Sequence, residues 1–356
     1  MMSKKGKIII ALSLLPQYLL IKIVKQYPEF IETYYSKGVF PVISKLLNTV
    51  FKWVPFSVGD LLYIALIIYI FYWVILNRKQ LRTKPVAWSL DVLAFVSFFY
   101  FIFHFCWGYN YYREPLHTTL NLNPKYTTTQ LKSVTNQLVL KTNKLHFAIT
   151  KDSLSKTTLC YEFAELAAMS QAGYVQLEKV YPNFKHDGQN SKKSMFSTPL
   201  TYMGFSGYVN PLTLEAQINA VMPRNSMPTT IAHEQAHQLG YAAENEANFI
   251  AFLASIHNKN RYFNYAGYKF ALRYCLIELS KRDRDAYDST LCTINTGILE
   301  DYQEAFEFWS AYNNPLEPVF KGFYSDFLKA NNQVKGIESY SYVVALLVDY
   351  IQGRDL

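Results

Sequence analysis

Five consecutive residues, His233-Glu234-Gln235-Ala236-His237, set two imidazoles four positions apart with a carboxylate beside the first. On a helix, positions i and i+4 lie one above the other on one face. His233 and His237 can therefore offer two nitrogens to a single metal ion. Glu234 stands about 100° round such a helix, where its carboxylate reaches a metal-held water rather than the metal. Those are the parts of a hydrolytic zinc site with a glutamate general base. With seven His in 356 residues, the pattern arises by chance in roughly 1% of such chains, and its flanks argue further against chance.

A catalytic zinc usually has three protein ligands and one open position. Glu244 and Glu246 are the candidates for the third ligand. The run Glu244-Asn245-Glu246-Ala247-Asn248 resembles the E-x-x-A-D element of gluzincin peptidases, with Asn where that family has Asp. The resemblance implies Glu244 as ligand and Asn248 as support for a ligand histidine. The gap between the two motifs is short, closer to that of metzincins, whose third ligand also follows a Gly turn. Glu246 therefore stays open as the alternative. The implied ion is Zn2+ and the implied catalytic residue is Glu234.

These residues need two helices to position them. Pro228 suits a first helical turn, with Asn225 or Ser226 as its cap, and Gly240 suits a helix stop. A second helix from about Ala243 places Ala243, Ala247, Ile250, Ala251 and Ala254 on one face, widened by Phe249, Phe252 and Leu253. The small alanines favour close packing on the first helix. Upstream, residues 216–222 read as a short strand bordering the cleft and pairing with an extended peptide, with Glu215 in a supporting role. Arg261, Tyr262, Tyr265 and Tyr241 are candidates to stabilise an oxyanion. Further helices are expected over 127–145, 160–180, 266–280, 299–312 and within 324–351. Residues 183–193 read as a loop with an Asp187-Gly188 turn.

The formal net charge is +8, but no basic stripe with interleaved aromatics carries it, which argues against nucleic acid as a partner. Apolar stretches at 8–24, 61–77 and 88–109 read as three transmembrane helices, with a cleaved signal peptide as the competing reading of the first. The lone intramembrane His104 reads as a packed or hydrogen-bonded residue. The expected division is a membrane domain over 1–112 and a second domain over 113–356. Lys4, Lys5, Lys7 and the basic stretch 78–84 belong on the cytoplasmic side. This multi-pass topology directs the second domain to the periplasm or exterior. Four Cys are too few for a disulfide framework; Cys275 and Cys292 could bridge, or remain free thiols.

Several stretches together resemble a family of bacterial integral-membrane proteins of unassigned function. They are Pro55-Phe56-Ser57-Val58-Gly59-Asp60, Leu214-Glu215-Ala216, His233–Gly240, Glu244–Phe249, Leu328-Lys329-Ala330-Asn331 and Ser339-Tyr340. That family looks like a membrane-tethered branch of the zincins. The expectation is a mostly α chain: transmembrane helices, then a predominantly helical zincin-like metallopeptidase domain with a small strand element. Its partners would be the lipid bilayer of the bacterial inner membrane and a peptide or protein substrate. Two alternatives stand beside it: a non-catalytic membrane-anchored interaction protein with a structural or relic metal site, and a zinc amidohydrolase acting on cell-wall fragments.

Overall fold

The structure is a computed structural model that describes residues 3–186, 188, 190–336, 342–354 and 356. Asp187 of the expected turn and the Ser339-Tyr340 pair lie outside them. The chain divides into two compact units, Met1–Glu114 with Asn210–Glu215, and Pro115–Val209 with Ala216–Leu356.

The first unit contains α1 (Lys4–Leu12), α2 (Leu14–Val24), a one-turn α3 (Pro28–Phe30), a π-helix at Ile31–Val39, α4 (Phe40–Phe51), α5 (Val58–Thr83) and α6 (Pro85–Cys106). Among the described residues, three stretches are long and apolar enough to cross a membrane: Lys4–Val24, Val58–Thr83 and Pro85–Cys106. The acidic residue within the last has a partner, because Lys7 Nζ lies 2.6 Å from Asp91 Oδ1. Ser13, between α1 and α2, sits 3.0 Å from the Ser97 hydroxyl on α6. His104 is hydrogen-bonded, its Nδ1 2.9 Å from the Tyr100 carbonyl.

The basic stretch after Leu76 continues α5, which stays helical through Thr83. It breaks only at Lys84, because the residue before a proline is pushed out of the α region and Pro85 can then open the next helix. The third span ends at Cys106 rather than near 109, and Gly108–Tyr112 is a 3-10 turn. On α4, Val42, Leu46 and Val50 share one face and are exposed.

Two of the quoted stretches meet within this unit. Ser57 caps α5, its hydroxyl accepting from Asp60 N at 2.9 Å. The Glu215 carboxylate accepts from Val58 N at 3.1 Å and Gly59 N at 2.6 Å, satisfying orphan donors at the positive end of the helix. Glu215 therefore caps α5, a helix long and apolar enough to cross a membrane. A Cβ at Gly59 would meet Asn210 Nδ2 at 2.5 Å and Thr213 Oγ1 at 2.8 Å, so glycine is required there.

The second unit contains α7 (Leu116–Thr119), α8 (Thr128–Thr150), α9 (Phe163–Val180), α10 (Ser197–Met203), α11 (Met227–Gln238), α12 (Glu244–Ile256), α13 (Arg261–Arg282), α14 (Arg284–Leu291), α15 (Thr296–Ala311), α16 (Glu317–Ala330) and α17 (Val343–Ile351). Its small sheet has the order β1 (Ser191–Lys193), β3 (Ala216–Ile218), β2 (Gly207–Val209). β1 runs parallel and β2 antiparallel to β3. Part of the expected 183–193 loop is thus a strand.

α12 is the centre of this unit. It packs against α9, α11, α13 and α17, and Ala247 and Phe249–Leu253 are completely buried. A helix apolar all round is one enclosed by others. Each fully buried Phe or Leu contributes about 1.5–3 kcal/mol. Glycine lets two neighbours approach: a Cβ at Gly173 of α9 would meet the Ala254 carbonyl at 2.5 Å, and one at Gly267 of α13 would meet Ser255 Cβ at 2.7 Å. All four cysteines are free, with Cys275 buried and Cys292 exposed, so the bridge considered from sequence is not formed.

Candidate metal centre

α11 carries both histidines and the glutamate between them. Pro228 occupies its first turn, but neither expected side chain caps it. Asn225 instead donates to the Thr157 carbonyl and the Asp301 carboxylate, and a 3-10 turn at Arg224–Ser226 leads in. The other end is a Schellman turn. Gly240 adopts φ +82, its N–H bonds the His237 carbonyl at 2.9 Å, and Tyr241 N–H bonds the Ala236 carbonyl at 3.3 Å.

That turn has a chemical consequence. It brings the Tyr241 carbonyl to 2.6 Å from His237 Nδ1. A carbonyl only accepts, so Nδ1 carries the proton and a neutral His237 keeps its lone pair on Nε2. The Tyr241 ring packs on Phe184.

α12 begins at Glu244, which brings this carboxylate to the histidines. Its Oε2 lies 3.2 Å from His233 Nε2 and 3.5 Å from His237 Nε2. The three side chains can each offer one ligand atom, all within 4.8 Å of one another. Bonds of about 2.0–2.2 Å to nitrogen and carboxylate oxygen in tetrahedral array put neighbouring donors about 3.3–3.6 Å apart, and the separations from Glu244 lie close to that range. Nitrogen and carboxylate oxygen are also donors that zinc takes. Oε1 of Glu244 accepts from the Tyr324 hydroxyl at 2.5 Å.

The other candidates have these partners. Glu246 Oε1 accepts from Leu116 N at 2.7 Å. Asn248 donates to the Tyr274 hydroxyl at 3.2 Å. Tyr265 donates to Asp301 at 2.6 Å, and Tyr262 packs edge-on against Tyr161. β3, the part of the expected 216–222 stretch that forms a strand, is paired on both sides and offers no free edge to a substrate. Both edge strands, β1 and β2, pack against α11, and β2 is the one that approaches Glu234.

Glu234 faces that edge. Its Oε2 is buried and has no hydrogen-bond partner among the described residues. A Cβ on Gly207 of β2 would come within 2.7 Å of its Oε1. Burial dominates its proton affinity; His233 and His237 pull back, Glu244 adds to the rise, and the carboxyl is pushed up to about 7. Glu244 behaves oppositely. Burial favours its neutral form, but His237 and His233 outweigh that and hold it well below the ordinary carboxylate value. Burial disfavours a charged His237, yet Glu244 prevails and raises it to about 9. These are the values of the side chains without an ion. The pair of carboxylates thus has divided roles: one held ionised among the imidazoles, one poised to take or give a proton near neutrality.

Tyr324, Gln333 and Gly207 surround the cluster and were missed in the sequence. Tyr324 is one of 29 tyrosines and has no spacing that marks it. The only hint was the Leu328–Asn331 stretch one helical turn beyond it.

The site and fold define a helical protein with three membrane-spanning candidates and a buried two-histidine, one-glutamate cluster. The chain matches, over residues 35–348, the family described as a protein of unknown function, DUF3810, and belongs to it. Comparison with curated proteins gave no match, and neither did comparison with solved structures.

Proposed function

We propose that this chain is a membrane-anchored zinc metallopeptidase whose second unit is a zincin-like, gluzincin-type catalytic domain. The observation that carries the reading is the convergence of His233, His237 and Glu244, with Glu244 Oε2 at 3.2 and 3.5 Å from the two imidazoles and the unpartnered Glu234 carboxylate adjoining. His233, His237 and Glu244 would hold the ion. When bound, zinc lowers the pKa of a coordinated water to about 7 and polarises a carbonyl. Glu234 would take the nucleophile's proton and pass it to the leaving amine, work suited to a buried carboxylate whose Oε2 has no hydrogen-bond partner among the described residues.

The edge strand supports a peptide as substrate. β2 pairs with β3 through Tyr208↔Gln217, and the flanking Asn219 N bonds the Ser206 carbonyl at 2.9 Å. Antiparallel pairs alternate between bonded and non-bonded positions. The main-chain groups of Gly207 and Val209 therefore point off the sheet, where an extended peptide can pair with them whatever its side chains. The positive-inside rule applied to Lys4, Lys5 and the 78–84 stretch assigns the second unit to the periplasmic or outer side of a bacterial inner membrane.

The test is zinc per chain in detergent-purified protein, followed by hydrolysis of a peptide library. The reading requires about one zinc in the wild type, lost in His237→Ala. Glu234→Gln should keep the zinc and lose hydrolysis. A folded wild type that takes up no zinc overturns it.

A further inference from the structure

The Glu244 carboxylate has two oxygens in different company. Oε2 faces the imidazoles, whereas Oε1 accepts the Tyr324 hydroxyl at 2.5 Å. An ionised carboxylate only accepts, so the hydroxyl must donate. The Tyr324 ring is set by Phe205, edge-on at 5.1 Å, and by Phe327, stacked at 6.1 Å. The same stretch of chain also holds the backbone of Glu244. The Gln333 side chain accepts from Glu244 N at 3.4 Å and donates to the Ala242 carbonyl at 3.1 Å. It thereby ties both sides of the turn that starts α12.

We infer that Tyr324 and Gln333 form a clip that positions Glu244, and that Tyr324 restricts this carboxylate to binding a metal through Oε2 alone. This rests on the metal reading above. With Oε1 occupied by a hydrogen bond, one oxygen remains for the ion and a coordination position stays open for substrate. Without the hydroxyl, Oε1 is free to swing toward the ion, and the carboxylate loses its fixed orientation. Partners that orient a ligand typically govern metal affinity by about 10- to 100-fold. Tyr324 is thus a positioning residue acting through Glu244.

The experiment uses the full chain in detergent with zinc and cobalt as probes. Zinc affinity is measured by competition with a chromogenic chelator, and coordination by the visible spectrum of the cobalt form. Tyr324→Phe, which removes only the hydroxyl, should weaken zinc binding by about 10- to 100-fold. It should also lower the cobalt absorbance, as a fifth donor would. Gln333→Ala should weaken binding without changing the spectrum. Leu328→Ala, which removes a fully buried side chain from the same helix but leaves the hydroxyl and the rings that set it, reports general damage to α16. Equal zinc affinity and an identical cobalt spectrum in Tyr324→Phe overturn the inference, as does a Leu328→Ala that reproduces both changes. Those results leave the zinc site standing. Failure of the wild type to bind zinc instead removes the site and this inference together.

Discussion

Gly207 and Glu234 are packed so closely that a methyl group cannot be placed between them. A Cβ on Gly207 would lie 2.7 Å from Glu234 Oε1 and 2.8 Å from the Gln217 carbonyl. The backbone of β2 and the carboxylate of α11 are therefore in direct contact, and glycine is the residue that permits it. Gly207→Ala must displace either the strand or the carboxylate. Because a misplacement near 1 Å costs about 100-fold in rate, kcat on a peptide substrate should fall by about that order. Zinc per chain should stay at the wild-type level, since His233, His237 and Glu244 are untouched. Full activity in a folded Gly207→Ala protein would show that Glu234 is not the base.

Glu244 and Glu246, two residues apart on one helix, should respond differently to substitution. Glu244→Gln removes the charge beside both imidazoles and should abolish stoichiometric zinc. Glu246→Ala should retain zinc, because its carboxylate accepts from the buried Leu116 N–H at 2.7 Å. Leaving that donor unpaired costs about 1–3 kcal/mol, which denaturant unfolding would register. Zinc lost from Glu246→Ala but kept in Glu244→Gln would reverse the ligand assignment.

The contrast between these two glutamates marks what the sequence could reveal. His233, Glu234 and His237 share one helix, so spacing alone places them, and Glu244 follows after a glycine turn short enough to limit the choice to two. Which of the two faces the histidines depends on how α12 is rotated within its surrounding helices, and no local pattern encodes that. A short strand within 216–222 was expected, and 216–218 forms one. Its central position was not, because it depends on pairing with 191–193 and 207–209. Glu215 shows the same limit. It lies close to the motif in sequence but satisfies Val58 and Gly59, more than 150 positions away.

Glu215 makes the membrane unit testable separately. Its carboxylate accepts two backbone donors of α5 and the Thr213 hydroxyl, the last at 2.9 Å. Glu215→Ala leaves the Val58 and Gly59 donors unsatisfied at a buried helix end. Charge-assisted bonds of this kind contribute about 1.5–3 kcal/mol each. The thermal midpoint of the detergent-solubilised chain should drop, while zinc affinity remains that of the wild type. A loss of zinc without a loss of stability would return Glu215 to the metal site.

Asp301 supplies a pH-dependent test outside the metal centre. Its carboxylate accepts from Thr157 N at 3.0 Å, Thr157 Oγ1 at 2.6 Å, Tyr265 at 2.6 Å and Lys269 at 3.2 Å, all in the buried interior. Burial lowers the Lys269 ammonium below its ordinary 10.5, and Asp301 opposes that fall. A lysine lowered on folding holds its proton more weakly in the native state than in the unfolded chain. Stability from this group therefore rises with pH through the window between the native value and 10.5. Asp301→Asn removes the opposing charge, pushes Lys269 lower still and extends the window toward neutrality. Breaking a buried pair costs about 3–5 kcal/mol while the remaining charge persists. The penalty should therefore be largest at about pH 6 and shrink toward about pH 9.5, as Lys269 discharges in the variant. Denaturant unfolding of wild type and variant at both pH values measures it. A penalty independent of pH would mean that Lys269 does not depend on Asp301 for its charge.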